Sequence, residues 1–223
     1  MANRNYLQDS CHKGTYILKN VTQYSQEVDA MGIWYATDLL NEYYDSGSIL
    51  SGSAGLMTKD GICKPSLYAF EFLNSMGEFL LEKGENYLVT KDERGDIQIL
   101  VFHNKELAPV YFMVEEDSHR PDKLEHLFTN QENMAMTFSL EHLEPDCQYT
   151  IRQRIINPEY GSVLDKWVEL ECTEELRPED IEYLKNVSVP KIALRNVISE
   201  LKGIRLEIVM RPHEMRWISV ERQ

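Results

Sequence analysis

The hydrophobic periodicity of the chain changes near residue 84, and this change limits the fold more than any other feature. From there, apolar residues tend to alternate with polar ones, as in strands with one buried face. Residues 87–90 and 97–102 flank the turn-forming run 92–96, which indicates a β-hairpin. Further strands are predicted at 110–114, 134–140, 149–156, 168–172, 191–197, 203–210 and 214–220. Many short strands separated by turns predict a mainly β fold, an antiparallel β-sandwich over residues 81–223.

The first 80 residues predict a different arrangement of helix, strand, long loop and helix. Asp9 and Ser10 precede a helical apolar stripe and predict a helix start. The apolar run 30–35 predicts a strand that is buried on both faces. After the long irregular stretch 38–64, Pro65 predicts a second amphipathic helix. Because two helices and one buried strand cannot complete a parallel sheet, we expect these to be elements of a larger unit.

The acidic charge of the chain excludes several partners. The 23 basic and 37 acidic side chains give a formal net charge of −14, which would repel the phosphate backbone of a nucleic acid. A neutral sugar is not repelled in this way. No window approaches about 18 consecutive apolar residues, and the amino terminus lacks the apolar core of a secretory signal. We therefore expect a cytoplasmic protein without a nucleic-acid or membrane partner.

Motifs for metals, nucleotides and nucleophilic catalysis are missing from the sequence. The six histidines show neither HxH nor HxxxH spacing, and no CxxC pair is present. The glycine-rich run 52–55 lacks the lysine and the following helix of a phosphate-binding loop. No G-x-S-x-G motif marks a serine nucleophile. We predict no metal site and no cofactor.

Five stretches, residues 9–20, 33–38, 55–70, 161–167 and 212–215, resemble glycoside hydrolase family 39, the β-xylosidase and α-iduronidase family. The resemblance covers nearly the whole chain, and residues 55–70 are its most specific part. It implies that residues 1–80 are the last β/α elements of an incomplete (β/α)8 barrel. Residues 81–223 then correspond to the carboxy-terminal β-sandwich of the family.

The resemblance also implies a mechanism. Family members are retaining glycosidases, in which two carboxylates about 5 Å apart act as nucleophile and acid/base. These carboxylates stand at the carboxy-terminal ends of barrel strands four and seven. When the chain is aligned on Asp9, the nucleophile falls just before Met1 and the acid/base falls further upstream. We therefore expect this chain alone to lack catalytic residues.

Three residues are expected at a sugar subsite. Trp34 matches a tryptophan at the end of barrel strand eight, which supplies a flat apolar wall beneath a sugar ring. Glu42 matches a glutamate that hydrogen-bonds sugar hydroxyls, and Asp38 is a candidate ligand contact. Each has a structural alternative: a core residue for Trp34, a solvated loop carboxylate for Glu42 and a loop acceptor for Asp38. Ser51 stands where the family often has a histidine, so one ring nitrogen is missing from the site.

Three functions stay open at this point. The chain is the carboxy-terminal portion of a family 39 β-xylosidase-like protein that binds a sugar, or it is a sugar-sensing domain of an AraC-type transcription regulator. The second alternative is based on residues 61–66, 161–167 and 180–185, which resemble that group as well. The third is a β-sandwich module that forms a homo-oligomer, because an incomplete barrel would expose apolar faces.

Overall fold

A computed structural model describes residues 5–39, 48–113, 115 and 119–223. In this part of the chain, the α-helices are α1 (Cys11–Tyr24), α2 (Pro65–Asn74), α3 (Val163–Glu169) and α4 (Pro178–Val187). The strands are β1 (Phe79–Gly84), β2 (Tyr87–Lys91), β3 (Ile97–Phe102), β4 (Met134–Leu140), β5 (Gln148–Ile156), β6 (Lys191–Ile198), β7 (Ile204–Met210) and β8 (Met215–Arg222). Short 3₁₀ helices span Tyr6–Asp9, Pro109–Met113 and Pro121–Leu127.

The strands form two antiparallel sheets that share one hydrophobic core. The larger sheet has the order β1-β2-β3-β8-β5-β6, and the smaller one pairs β4 with β7. Strand β7 alternates strictly between buried and exposed residues, as the period of two predicts. Its buried residue Leu206 lies opposite Phe138 of β4, and both pack in the same cluster as Ile99 and Ile218 of the larger sheet. The prediction of a mainly β chain built from antiparallel sheets is confirmed.

Helices α1 and α2 cover the other face of the larger sheet. Leu18 and Phe72 of the helices pack in one cluster with Leu100 of β3 and Met215 of β8, and all four are fully buried. The two helices approach closely at Gly14, because a Cβ atom there would lie 2.9 Å from the carbonyl oxygen of Pro65. Strand β3 is buried along its whole length because both of its faces are covered.

Three predicted strands are wrong. The run 30–35 is irregular and mostly exposed, and no described strand pairs with it. In place of the strand at 110–114, the 3₁₀ helix Pro109–Met113 begins with a proline that fixes its own φ and has no N–H to donate. In place of the strand at 168–172, α3 is followed by Glu171 and Cys172, whose φ values of 57° and 55° are left-handed and do not fit a strand.

Strand β1 was missing from the sequence prediction. It follows α2 closely, and its apolar residues Phe79, Leu80 and Leu81 are consecutive rather than alternating, so they carry no strand period. All three are about half exposed in the structure, since β1 is the edge strand of the larger sheet. A shift of register between Leu80 and Glu82 further interrupts its pairing with β2.

In the described ranges, no helix has both the length and the apolar character that a membrane crossing needs.

Candidate functional site

Trp34 lies on the surface in the irregular segment that follows α1. Its side chain is 83% exposed, and its ring makes an edge contact with that of Tyr35, with 6.1 Å between centroids. The preceding residue, Ile33, is partly buried against the cluster formed by α1, α2 and the larger sheet. In the described part of the chain, Trp34 is therefore not packed in a hydrophobic core. The indole ring of Trp34 faces solvent, while Ile33 packs the same segment against the hydrophobic cluster.

Backbone hydrogen bonds fix the residues that follow Trp34. The carbonyl oxygen of Ala36 accepts hydrogen bonds from the N–H groups of Leu56 and Met57, at 3.1 and 3.2 Å. The N–H of Asp38 donates to the carbonyl oxygen of Met57 at 2.9 Å, and Thr37 forms a parallel β-bridge with Met57. Leu56 and Met57 of the described loop residues thus lie beside the Trp34 segment.

Beneath this backbone pairing lies a buried ion cluster formed by Asp9, Lys64 and Asp38. The Nζ atom of Lys64 lies 2.5 Å from Oδ1 of Asp9 and 2.6 Å from Oδ2 of Asp38, and it donates to the carbonyl oxygen of Ser53 at 2.9 Å. The side chains of Lys64 and Asp9 are 0% exposed and that of Asp38 is 4% exposed. The Asp9–Lys64–Asp38 cluster therefore joins the first 3₁₀ helix, the Trp34 segment, the long loop and the start of α2.

The electrostatics of the cluster follow from two carboxylates around one ammonium group. Burial acts to lower the pKa of Lys64, but the attraction of Asp9 and Asp38 outweighs it and raises that pKa above its usual value. Burial raises the pKa of Asp9, and the nearby Lys64 offsets part of this rise. Lys64 is therefore protonated at neutral pH, and it compensates charge that would be costly to bury alone.

Two glycines of the loop bring backbone N–H groups to the carboxylates. Gly55 donates to Oδ1 of Asp38 at 3.0 Å, and a Cβ atom at this position would lie only 2.4 Å from that oxygen. Gly52 has a left-handed φ of 67° and donates to Oδ2 of Asp9 at 2.9 Å. The glycine-rich run 52–55 thus supplies backbone N–H groups to two buried carboxylates.

Of the three residues predicted for a sugar subsite, the structure places Trp34 and Asp38, whereas Glu42 lies outside the described residues. Trp34 and Asp38 share one segment but differ in environment, since Trp34 faces solvent and Asp38 is held in the buried cluster. Ser51 is half-buried. The ligand or structural role of each residue stays a prediction.

The sequence analysis did not identify the role of Lys64 or the ionic contacts of Asp9. Of the two residues predicted at the start of α1, Ser10 is the N-cap residue, whereas the Asp9 carboxylate contacts Lys64 and Gly52. Lys64 is the N-cap residue of α2. A positive charge at that end opposes the helix dipole, which is a sequence signal that the lysine has an anionic partner.

The chemistry available around Trp34 is that of binding. An exposed indole offers an apolar face to a ligand ring. The carboxylate of Asp38 is occupied by Lys64 and Gly55. Among the residues that the structure describes, no group of three or more His, Cys, Asp or Glu side chains is arranged to hold a metal ion.

A family model and several known proteins resemble this chain. The family model described as glycosyl hydrolases family 39 matches residues 1–201. The β-xylosidase of Geobacillus stearothermophilus is 22% identical over 217 residues, which cover 97% of this chain and 38% of that protein.

Two solved structures share the fold of nearly the whole chain. The GH39 enzyme from Xanthomonas axonopodis pv. citri superimposes with a TM-score of 0.83 at 19% identity, over 99% of this chain and 42% of that one. A monomeric β-xylosidase from Caulobacter crescentus CB15 gives a TM-score of 0.81 at 19% identity, over 99% of this chain and 43% of that one. The chain therefore spans about two fifths of the length of these relatives.

Proposed function

The chain belongs to glycosyl hydrolase family 39, and from this premise we propose that it is the carboxy-terminal portion of a β-xylosidase-like glycosidase. Residues 1–80 supply the last β/α elements of an incomplete barrel, and residues 81–223 form a β-sandwich that braces it. The assignment as a portion of a longer protein is supported by the extent of the matches, because almost all of this chain matches only about two fifths of each relative. The names of the relatives suggest a β-xyloside as the substrate of the whole protein.

Within that protein, Trp34 forms the wall of a sugar subsite. The observation that carries this assignment is the 83% exposure of a large indole next to a segment that a buried ion cluster holds in place. One face of a pyranose ring presents C–H groups, which pack favourably on a flat aromatic ring. Asp38 acts as a positioning residue for Trp34, and Glu42 hydrogen-bonds the sugar hydroxyls.

Catalysis requires groups other than those around Trp34. A retaining glycosidase needs a nucleophile and an acid/base about 5 Å apart. Asp38 cannot supply either, because its carboxylate is paired with Lys64 at 2.6 Å. We assign both catalytic carboxylates to the barrel strands that precede this chain in the family, so the chain alone binds without turnover.

A fluorescence titration of the 223-residue chain with methyl β-D-xyloside tests this assignment. Trp167 is buried and Trp217 donates its indole N–H to the carbonyl oxygen of Ser75, so a sugar-dependent change in emission reports chiefly on Trp34. Because Trp34→Ala lacks the reporting indole, its binding is measured by calorimetry and is expected to be lost, whereas Phe112→Ala, which removes another exposed aromatic ring, should preserve both the binding and the fluorescence change. Saturable calorimetric binding of the xyloside to Trp34→Ala with unchanged affinity would contradict the role of Trp34. Hydrolysis of an aryl β-xyloside by the unmodified chain would contradict the absence of catalytic groups.

The other two functions receive less support. The relatives named above are glycosidases, and these comparisons do not support a sugar-sensing domain of an AraC-type regulator. One relative is described as monomeric, which says nothing about the oligomeric state of this chain. Self-association and the cytoplasmic location stay predictions.

A further inference from the structure

A groove of about 400 Å³ runs along the outer edge of β4. The smaller sheet consists of β4 and β7, so no described strand pairs with this edge. Beyond the pairing with β7, the described residues form no backbone hydrogen bond with residues 134–140. All of the consecutive residues 136–141 line the groove. Because successive side chains of a strand point to opposite faces, a groove that reaches all of them lies beside the backbone edge.

Strand β4 lacks the features that usually protect a free edge. Proteins keep such edges from pairing with other chains by means of charged residues, prolines or bulges. The other described strands with a free edge, β1, β6 and β7, each carry two charged residues, and β1 has a shift of register as well. In contrast, the seven residues of β4 (MAMTFSL) include neither a charge nor a proline, and their pairing with β7 is regular. The edge of β4 is therefore suited to receive another strand.

The groove offers an apolar surface to such a strand. The rings of Tyr87 in β2 and Phe138 in β4 meet edge to face at its base, with 5.4 Å between centroids. Because β4 packs on β2 and β1 is the next strand outward, a strand added beside β4 would lie over β1. There it would cover Leu81, which lines the groove from the point of the register shift and is 52% exposed.

The charge of the groove favours a basic partner. Its charged lining residues are Glu82 and Glu141, and no described lysine, arginine or histidine lines it. Glu141 follows the exposed residues Thr137 and Ser139 at the same spacing of two, so its carboxylate is placed for a basic side chain on the outer face of an added strand. A second copy of this chain, with its formal net charge of −14, would be repelled as a whole.

We propose that the edge of β4 binds an extended, basic peptide segment of another protein, which extends the smaller sheet by one strand. Backbone hydrogen bonds to β4 supply affinity, and alternate apolar side chains of the segment fill the groove against Leu81 and Phe138. Residues 136–141 extend over about 20 Å, which corresponds to six residues of an extended peptide. This surface goes beyond the sugar subsite proposed at Trp34 and does not depend on it.

The test is an NMR titration of the ¹⁵N-labelled chain with three synthetic octapeptides. The basic probe alternates valine and lysine, the acidic probe has glutamate in place of lysine, and the third probe is the basic one with every backbone nitrogen methylated. We expect saturable shifts of the backbone amides of residues 134–141 with the basic probe and affinity at least about tenfold lower with the acidic probe. The methylated probe keeps its side chains but cannot donate backbone hydrogen bonds, so it should give no saturable shift.

The same titrations define the results that contradict the proposal. An absence of saturable shifts in β4 with the basic probe would overturn it. Equal affinity for the basic and acidic probes would overturn the charge preference on which the choice of partner depends. Equal affinity for the basic and methylated probes would show that binding does not use the strand edge, and would overturn the proposal too.

Two variants of β1 make the test specific to the groove. Leu81→Asn removes an apolar side chain from the groove and should weaken binding of the basic probe about fivefold. Leu80→Asn makes the same change at a neighbour that is equally exposed but does not line the groove, and it should leave the affinity unchanged. Equal affinities of the two variants would overturn the proposal. If Leu81→Asn fails to fold, the comparison of the three probes on the unmodified chain still decides.

A second copy of this chain is the competing occupant of the edge. We expect sedimentation velocity to show a monomer at every concentration used for the titrations. A dimer whose formation shifts the β4 amides without any peptide would mean that a second copy occupies the edge, and the assignment to a basic peptide would be wrong. No sugar is present in these experiments and Trp34 does not line the groove, so their failure would leave the Trp34 assignment intact.

Discussion

Lys64 shows how a single residue can hold a candidate ligand-binding surface in place. A lysine this deeply buried remains charged only because two carboxylates lie 2.5 and 2.6 Å from its Nζ atom. Its partners come from separate parts of the chain, so the same contacts fix the backbone that carries Trp34. The net contribution of such a cluster to stability is small, but the removal of one partner leaves unpaired charge in the interior.

The first prediction concerns Lys64 itself. Lys64→Met keeps the side-chain volume but leaves Asp9 and Asp38 buried without a cation, so we expect a loss of about 3–5 kcal/mol in the free energy of unfolding. Urea denaturation measures it. Lys185→Met is the matched control, because Lys185 forms an ion pair with Glu182 on the surface of α4, worth less than about 1 kcal/mol. Equal losses in the two variants would show that the buried cluster is not a special site.

The second prediction concerns His213 at acid pH. Burial lowers the pKa of His213 from 6.5 to about 2, so the unfolded chain takes up a proton below about pH 6.5 that the folded chain does not. Stability from this residue is thus present above pH 6.5 and is lost as the pH falls. We expect the unmodified chain to lose more stability than His213→Phe between about pH 7 and about pH 5.

Urea denaturation at several pH values gives this difference. His12, whose pKa burial lowers to about 4, acts in the same direction as His213. Burial raises the pKa of Asp165 to about 6, so Asp165 acts in the opposite direction. Both groups are present in both proteins, and their contributions largely cancel in the comparison. Parallel pH profiles for the two proteins would contradict the prediction.

At the scale of elements, the loop from residue 48 to residue 64 is organised by close backbone approach. The third prediction is that Gly55→Ala destabilises the chain by about 1–3 kcal/mol, because a Cβ atom there would lie 2.4 Å from Oδ1 of Asp38 and 2.6 Å from the carbonyl carbon of Thr37. Displacement of Asp38 should also weaken the fluorescence response of Trp34 to a xyloside. Gly32→Ala is the matched control, since a Cβ atom at Gly32 meets nothing within 4 Å. Equal stability of the two variants would show that the loop tolerates a side chain at position 55.

The elements that sequence predicts well are those whose pattern is local. The strict alternation of β7 and the proline that begins α2 identify these elements without reference to the rest of the chain. The apolar runs 30–35 and 97–102 look alike in sequence, yet only the second becomes a strand. The difference is a partner, because Ile99 pairs with Ile218 from a distant part of the chain, and no local pattern contains that information.

The residues of the candidate site likewise fall into two groups: those that the sequence predicts and those that only the fold brings together. Trp34 and Asp38 were predicted because the family resemblance covers their segment. The contact between Asp9 and Lys64 joins residues 55 positions apart, and in the sequence the glycines that cradle the carboxylates are only part of a long irregular stretch.

At the scale of the whole molecule, α1 and α2 share their core with the larger sheet. Phe72 of α2 is fully buried among residues of β3, β5 and β8, and the indole N–H of Trp217 in β8 donates to the carbonyl oxygen of Ser75 at the end of α2. The sequence division at residue 80 thus falls inside β1 and separates α1 and α2 from the sheet with which they share a core. We infer that the described parts of residues 1–80 and 81–223 unfold together.

The fourth prediction follows from this shared core. Phe72→Ala should destabilise the chain by about 3–5 kcal/mol, as expected for the truncation of a buried aromatic residue, and should shift the unfolding of helices and sheets alike. Far-ultraviolet circular dichroism and tryptophan fluorescence should give one coincident transition, in the variant as in the unmodified chain. Phe112→Ala, which truncates a phenylalanine that is 76% exposed, should change the stability by less than about 0.5 kcal/mol. If the helices of Phe72→Ala melted while the sheet kept its original midpoint, the amino-terminal elements would be a separate unit that merely rests on the sandwich.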